Sequence, residues 1–182
     1  MGMITSLVTS ALVGAAGHAM AGKVQDRFAG AAMPVAEIVG RATVIDGDTI
    51  EIQRTRIRLY GIDAPESSQA CEGRDGRPYP CGRRAAQALD ELLMGKVVSC
   101  RQKDSDRYGR VVAVCSAGGI VVNAWMARNG QATAYTRYGA DFAGDEAQAK
   151  RAGIGIWQGR FEQPSDYRQA QKGRGYGAVS GY

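Results

Sequence analysis

The chain has 182 residues, enough for one domain with short extensions and a single buried core. An apolar fraction of 45% excludes a disordered polypeptide, and 25 glycines suit a fold with many tight turns. Lys and Arg total 23 against 18 Asp and Glu; the net charge of +5 suits an acidic partner, nucleic acid being the commonest, but equally a merely soluble basic protein.

The first charged residue is Lys23. Ile4 to Ala16 is mostly apolar, though rich in Gly, Ser and Thr, and Ala19-Met20-Ala21 has the small-x-small form of a cleavage site. Residues 1–21 are therefore expected to be a signal peptide, which sends the chain to the periplasm or outside the cell. An uncleaved membrane anchor is the rival reading, for which the run is short and polar. Residues 22–35 read as an N-terminal arm, 36–159 as the folded domain and 160–182 as a polar, weakly basic, loosely held tail.

Within the domain, β-branched residues from Ile38 to Ile45 predict a strand, and Asp46-Gly47-Asp48 a turn. Ile50 and Ile52 alternate with polar residues in a second strand, and Ile57 and Leu59 alternate with Arg56 and Arg58 in a third. Residues 66–81 form a polar loop. Apolar spacing predicts a helix from Arg83 to Met94, stopped by Gly95. Val97–Gln102 and Val111–Cys115 are two more strands. Short helices follow over about 122–128 and 144–151. Five short strands with about three helices suit a mixed α+β domain, a five-stranded Greek-key barrel of the oligonucleotide-binding (OB-fold) type.

Four cysteines, Cys71, Cys81, Cys100 and Cys115, lie beyond the leader. Export with an even count suggests two disulfides, and four cysteines allow three pairings. Zinc is disfavoured, because no Cys-x-x-Cys occurs and the only histidine, His18, is in the leader. Cys100 and Cys115 flank a short loop and can face each other across a hairpin, which leaves Cys71 to pair with Cys81.

Asp48 opens the second strand and Asp63 follows the third, so two carboxylates can meet at one rim. Such a pair, with a carbonyl and waters, is a hard-oxygen site for calcium or magnesium; Asp46-Gly47-Asp48 is also an ordinary hairpin turn. Arg58 to Glu66 supplies a cation, a metal-type carboxylate and a second carboxylate after Pro65. Those are the parts that phosphodiester hydrolysis needs, although a surface ion-pair cluster would look the same. Asp104 to Arg110 begins like an EF-hand loop, but Cys115 stands where the twelfth-position Glu belongs, so that reading fails. A rigid turn that aims Arg110 at the rim makes better sense, since a planar guanidinium grips two phosphate oxygens.

Val44-Ile45-Asp46-Gly47-Asp48-Thr49, Arg58 through Glu66, Asp106-Arg107-Tyr108-Gly109-Arg110 and Gly155-Ile156-Trp157 occur in the order and approximate spacing of thermonucleases. Over residues 38–158 the chain resembles that staphylococcal nuclease-like family. The resemblance implies Ca²⁺ held by Asp48, Asp63 and the carbonyl of Ala64, with Asp46 supporting the metal. It implies Glu66 as general base and Arg58 and Arg110 as clamps on the scissile phosphate. Arg54, Arg56 and Arg58 share one strand face, so the choice of Arg58 rests on family spacing. Tyr108 and Tyr135 match nucleotide-contacting positions, with Arg107 beside them among the substrate contacts; Tyr135 and Tyr138 could equally pack the barrel. The implied activity is calcium-dependent, endonucleolytic hydrolysis of DNA and RNA, single-stranded or locally opened, leaving 3′-phosphate ends. No stable protein partner is expected, and membrane contact only through an uncleaved leader.

Ala64 replaces a hydroxyl residue common in the family, and the loop after Glu66 carries Cys71 and Cys81, a disulfide-braced loop foreign to the best-known member. Arg137 or Tyr138 falls where that member has a second aromatic. The alternative reading is a catalytically silent barrel that binds nucleic acid or protein. Domains of that kind lose several of the five ionic groups, and Asp48, Asp63, Glu66, Arg58 and Arg110 are all present here.

Overall fold

The computed structural model describes residues 37–136 and 139–177, with side chains to residue 173. The leader, the arm, Arg137, Tyr138 and residues 178–182 lie outside the described residues.

The elements run β1 (Glu37–Gly40), β2 (Thr43–Asp46), β3 (Thr49–Ile52), β4 (Thr55–Leu59), β5 (Ile62–Asp63), β6 (Cys71–Glu72), β7 (Pro78–Tyr79), α1 (Cys81–Leu93), β8 (Val98–Ser105), β9 (Val111–Ala117), β10 (Ile120–Val121), α2 (Val122–Arg128), β11 (Thr133–Ala134), α3 (Ala143–Ala152), a 3-10 turn over Gly155–Gln158, and α4 (Pro164–Gly177). The principal sheet has seven strands in the order β1-β8-β9-β4-β3-β2, with β10 beside β9. Five strands were expected. The first breaks at Arg41-Ala42, so that β1 pairs with β8 while β2 pairs with β3, and Ile120-Val121 adds a short seventh.

Antiparallel pairing joins β2 to β3 and β3 to β4, and the β3–β4 turn holds Gln53 and Arg54 at φ 49° and 65°. Two left-handed central residues make the primed two-residue turn that matches strand twist, here without the usual Asn-Gly signal. β4 then pairs in parallel with β9, Arg58 opposite Val112, which ties together segments that α1 and β8 separate in sequence. Asn123 of α2, fully buried, fastens this junction: its Oδ1 accepts from the Cys115 N–H at 2.9 Å, and its Nδ2 donates to the Tyr60 carbonyl at 2.9 Å and the Ala113 carbonyl at 3.2 Å.

The core collects Ile50, Ile52, Ile57 and Leu59 from the strands against Ala85 and Leu89 of α1 and Val122 and Met126 of α2. Period-two and period-3.6 apolar positions thus face one interior. Cys100 pairs with Cys115 inside this core, across β8 and β9, and Cys71 pairs with Cys81, which joins β6 to the start of α1. The segment expected to be a loose tail is helical. Pro164 sits at its first position, where a missing N–H costs nothing, and Asp166 lies in its first turn. Among the described residues no helix is long and apolar enough to cross a membrane.

Candidate active site

The β2–β3 turn sets the first carboxylates. Asp46 Oδ1 accepts from the Asp48 N–H at 3.0 Å, closing the turn. Gly47 is required by space, since a Cβ there would lie 2.7 Å from the Ala64 Cβ and 2.9 Å from that of Ala85. Asp48, buried at the start of β3, accepts through Oδ1 from Arg58 Nη1 at 2.6 Å and Thr49 Oγ1 at 3.1 Å, and through Oδ2 from the Ala64 N–H at 3.0 Å.

Arg58 reaches Asp48 because β4 pairs with β3, Thr49 opposite Arg58. Its other nitrogen, Nη2, donates to Asp63 Oδ1 at 2.8 Å. Asp63 is also buried, and β11 fixes its backbone: Thr133 Oγ1 donates to the Asp63 carbonyl at 3.0 Å. One guanidinium therefore draws together the two carboxylates expected to hold a metal. Of Ala64, the structure shows the buried N–H serving Asp48.

Glu66 leaves this cluster on a braced loop. Gln69, 1% exposed, accepts from the Glu66 N–H at 3.2 Å and donates to the Glu162 carbonyl at 2.7 Å. The start of α1 presses on the same peptide so closely that a Cβ on Gly82 would lie 1.7 Å from the Glu66 carbonyl oxygen. The side chain of Glu66 stays 38% exposed.

Arg110 enters from the turn before β9. Its Nε donates to Asp106 Oδ2 at 2.7 Å, and Asp106 Oδ1 accepts from the N–H groups of Tyr108 and Arg110, so the turn is built around that carboxylate. Burial acts to raise the Asp106 carboxyl, but the hydrogen bonds from Arg110 and Tyr108, with the Arg110 charge, together outweigh it and hold the group below its ordinary range. Arg107 donates to the Tyr108 hydroxyl at 2.8 Å, and both Arg107 and Arg110 lie over the Tyr108 ring. A cleft of about 830 Å³ is lined by Asp46, Asp48, Arg58, Ala64, Glu66, Arg107, Tyr108, Arg110 and Tyr135, and buried Asp63 adjoins it through its hydrogen bond from Arg58. The sequence-predicted site residues thus converge on one cavity.

Three further cations line it, Lys103 of β8 and Arg168 and Lys172 of α4. Arg168 Nη1 donates to Glu66 Oε1 at 2.7 Å and Asp63 Oδ1 at 3.0 Å, and Nη2 donates to Asp63 Oδ2 at 2.8 Å. Sequence reasoning missed this residue because glycines 173, 175 and 177 mask a helix that Pro164 and Asp166 signal.

Burial pushes Asp48 up to about 7; Arg58 works against the rise, while Asp46 and Asp63 reinforce it. Burial acts to lower Arg58, but Asp48 and Asp63 outweigh it and hold the guanidinium above its ordinary value. Arg168 is likewise raised, burial being overcome by its bonds to Asp63 and Glu66. Among the described residues no three His, Cys, Asp or Glu side chains converge as a metal-ligand group. The donor set nevertheless suits a hard dication completed by carbonyls and water. Asp46, Asp48, Asp63 and Glu66 gather around Arg58 and Arg168, and one of those guanidiniums already bridges Asp63 and Glu66 as a cation would.

A family model described as Staphylococcal nuclease homologue matches residues 56–159, more than half of the chain. The chain is 40% identical over 149 residues to the Succinoglycan biosynthesis protein ExoI of Rhizobium meliloti (strain 1021), covering 80% of this chain and 76% of that protein. It is 36% identical over 147 residues to a Micrococcal nuclease of Shigella flexneri, covering 71% of this chain and 79% of that one. An Uncharacterized endonuclease of Escherichia coli is 36% identical over 133 residues, with 67% and 78% covered.

Proposed function

The chain belongs to the staphylococcal nuclease homologue family and is a phosphodiester-hydrolysing enzyme, and from that premise we propose that it is an exported, calcium-dependent endonuclease acting on both DNA and RNA. The observation that carries this reading is the single cleft in which Arg58 gathers Asp48 and Asp63 while Glu66 and Arg110 stand at its rim.

In this reading Asp48, Asp63 and the Ala64 carbonyl hold Ca²⁺, with Asp46 in support; the ion, when bound, polarises the phosphate and supplies charge against the developing anion. Glu66, the more exposed carboxylate, takes a proton from water. The loop that Gln69 and Gly82 pin holds its carboxylate at the cleft. Arg58 and Arg110 approach from β4 and from the turn before β9, neighbours in the sheet, and grip the phosphate oxygens from two sides. The water oxygen bonds to phosphorus as the P–O5′ bond breaks, and the departing 5′ oxygen takes a proton from solvent, giving 3′-phosphate and 5′-hydroxyl ends. Tyr108, Arg107 and Tyr135 line the approach, suited to stacking on unpaired bases of single-stranded or opened substrate.

The same reading takes the sheet as a five-stranded Greek-key OB barrel. In its favour, β1 and β2, separated only by Arg41-Ala42, pair with β8 and β3 near the two ends of the strand path, so one bent strand would close it. Residues 1–21 as a cleaved signal would place the product in the periplasm or medium, where its two disulfides persist.

The test incubates oxidised protein with plasmid DNA and total RNA under calcium, magnesium or chelator, beside Glu66→Gln. Cleavage is expected with calcium and lost in the chelator, and Glu66→Gln should fall by roughly 100-fold or more in kcat while still folding. Folded protein that shifts nucleic acid on a gel without ever cutting it would instead make the chain a binding module.

A further inference from the structure

The C-terminal helix reaches into the cleft and does more than cover it. Arg168 engages both oxygens of Asp63 and the nearer oxygen of Glu66. Those are the carboxylates to which the proposed function assigns the metal and the base. Both oxygens of a metal-binding carboxylate are thus already spent on a cation, and an oxygen of the base is held by the same guanidinium.

The anchorage of α4 is narrow and falls on the catalytic loop. Tyr167 shares a hydrogen bond of 3.2 Å with Ser68 Oγ and also donates to the Ser68 carbonyl at 3.3 Å; ahead of the helix, the Glu162 carbonyl accepts from Gln69. The helix has little support of its own. Gly173, Gly175 and Gly177 each cost close to 1 kcal/mol relative to alanine, and the Arg168 side chain remains 35% exposed, so its ion pairs are open to exchange.

We propose that α4 is a latch: the Arg168 guanidinium occupies the carboxylates that must receive the divalent cation and activate water, so the closed helix and the bound cation exclude each other. This rests on the assignment of Asp63 and Glu66 above. Binding of the cation displaces Arg168 from Asp63, frees Glu66 and lets α4 lift from the loop at Ser68. A latch closed in about 90% of molecules weakens apparent cation affinity about tenfold.

The experiment uses the full mature chain, oxidised and metal-free, as wild type, Arg168→Gln and Tyr167→Phe. Calcium affinity is measured by calorimetry, and amide hydrogen exchange follows residues 164–173 with and without calcium. Arg168→Gln should bind calcium at least about fivefold more tightly than wild type. Tyr167→Phe, which leaves the guanidinium in place and loosens the anchor, should fall between them. Calcium should accelerate exchange in α4 of the wild type. Unchanged or weaker affinity in both variants, with α4 equally protected in either state, would overturn the latch. Nuclease activity is read separately. Variants that bind calcium more tightly yet never cut support the latch and remove the nuclease assignment, whereas cleavage with unaltered affinity removes the latch alone.

Discussion

At the scale of single residues, the cost of this site is concentrated in Asp48. Burial holds its proton more tightly in the folded chain than in the unfolded one, with a folded value of about 7 against 3.8. A carboxyl whose folded value is raised contributes stability fully below the unfolded value and loses that contribution as pH rises through the folded one. Metal-free protein should therefore lose stability between about pH 4 and pH 7, and this slope in Tm should flatten in Asp48→Asn. A slope that is the same in the variant would place the loss elsewhere. Asp48, Asp63, Glu66, Arg58 and Arg110 could be singled out as candidates only as a set, because their types, order and spacing together match a known pattern. Thr49, Gln69 and Asn123 were not, because a buried hydroxyl or amide announces itself only through its partners.

Among the elements, the contact between the start of α1 and the Glu66 loop positions the proposed base. A side chain at position 82 has no room against the Glu66 carbonyl. Gly82→Ala must push that peptide or the helix aside, at a cost of about 1–3 kcal/mol. The expected outcome is a lower Tm together with a loss in kcat larger than the change in KM; wild-type kinetics would show that the loop tolerates the shift. The helix at 83–94 was readable from apolar spacing and Gly95, those at 122–128 and 144–151 from Gly130 and Gly153 at their ends, and the structure places all three within about two residues of expectation. The break at Arg41-Ala42 was hidden because β-branched residues flank it closely on both sides, Ile38-Val39 and Thr43-Val44-Ile45, and only the partner strands reveal that the segment serves two neighbours. The C-terminal helix was hidden by its own glycines.

Across the whole molecule, the decisive pairing is far from local in sequence. The two disulfides tie residues 10 and 15 positions apart, so in the oxidised unfolded chain the β8–β9 hairpin is already short-circuited. The β4–β9 register, Ile57 opposite Val111, must instead close over the whole of α1 and β8. Contacts so distant in sequence form slowly. Oxidised protein refolding from denaturant should regain strand signal before it regains cleavage, and prior reduction of Cys100–Cys115 should slow both; activity that returns with the first strand signal would contradict this order. The parallel register also works as a completion check. On the proposed roles, Arg58 on β4 and Arg110 in the turn before β9 would become a clamp only when those strands meet, so a chain still being made or moved would carry all the parts of a phosphate-cutting machine while remaining harmless to the nucleic acid around it.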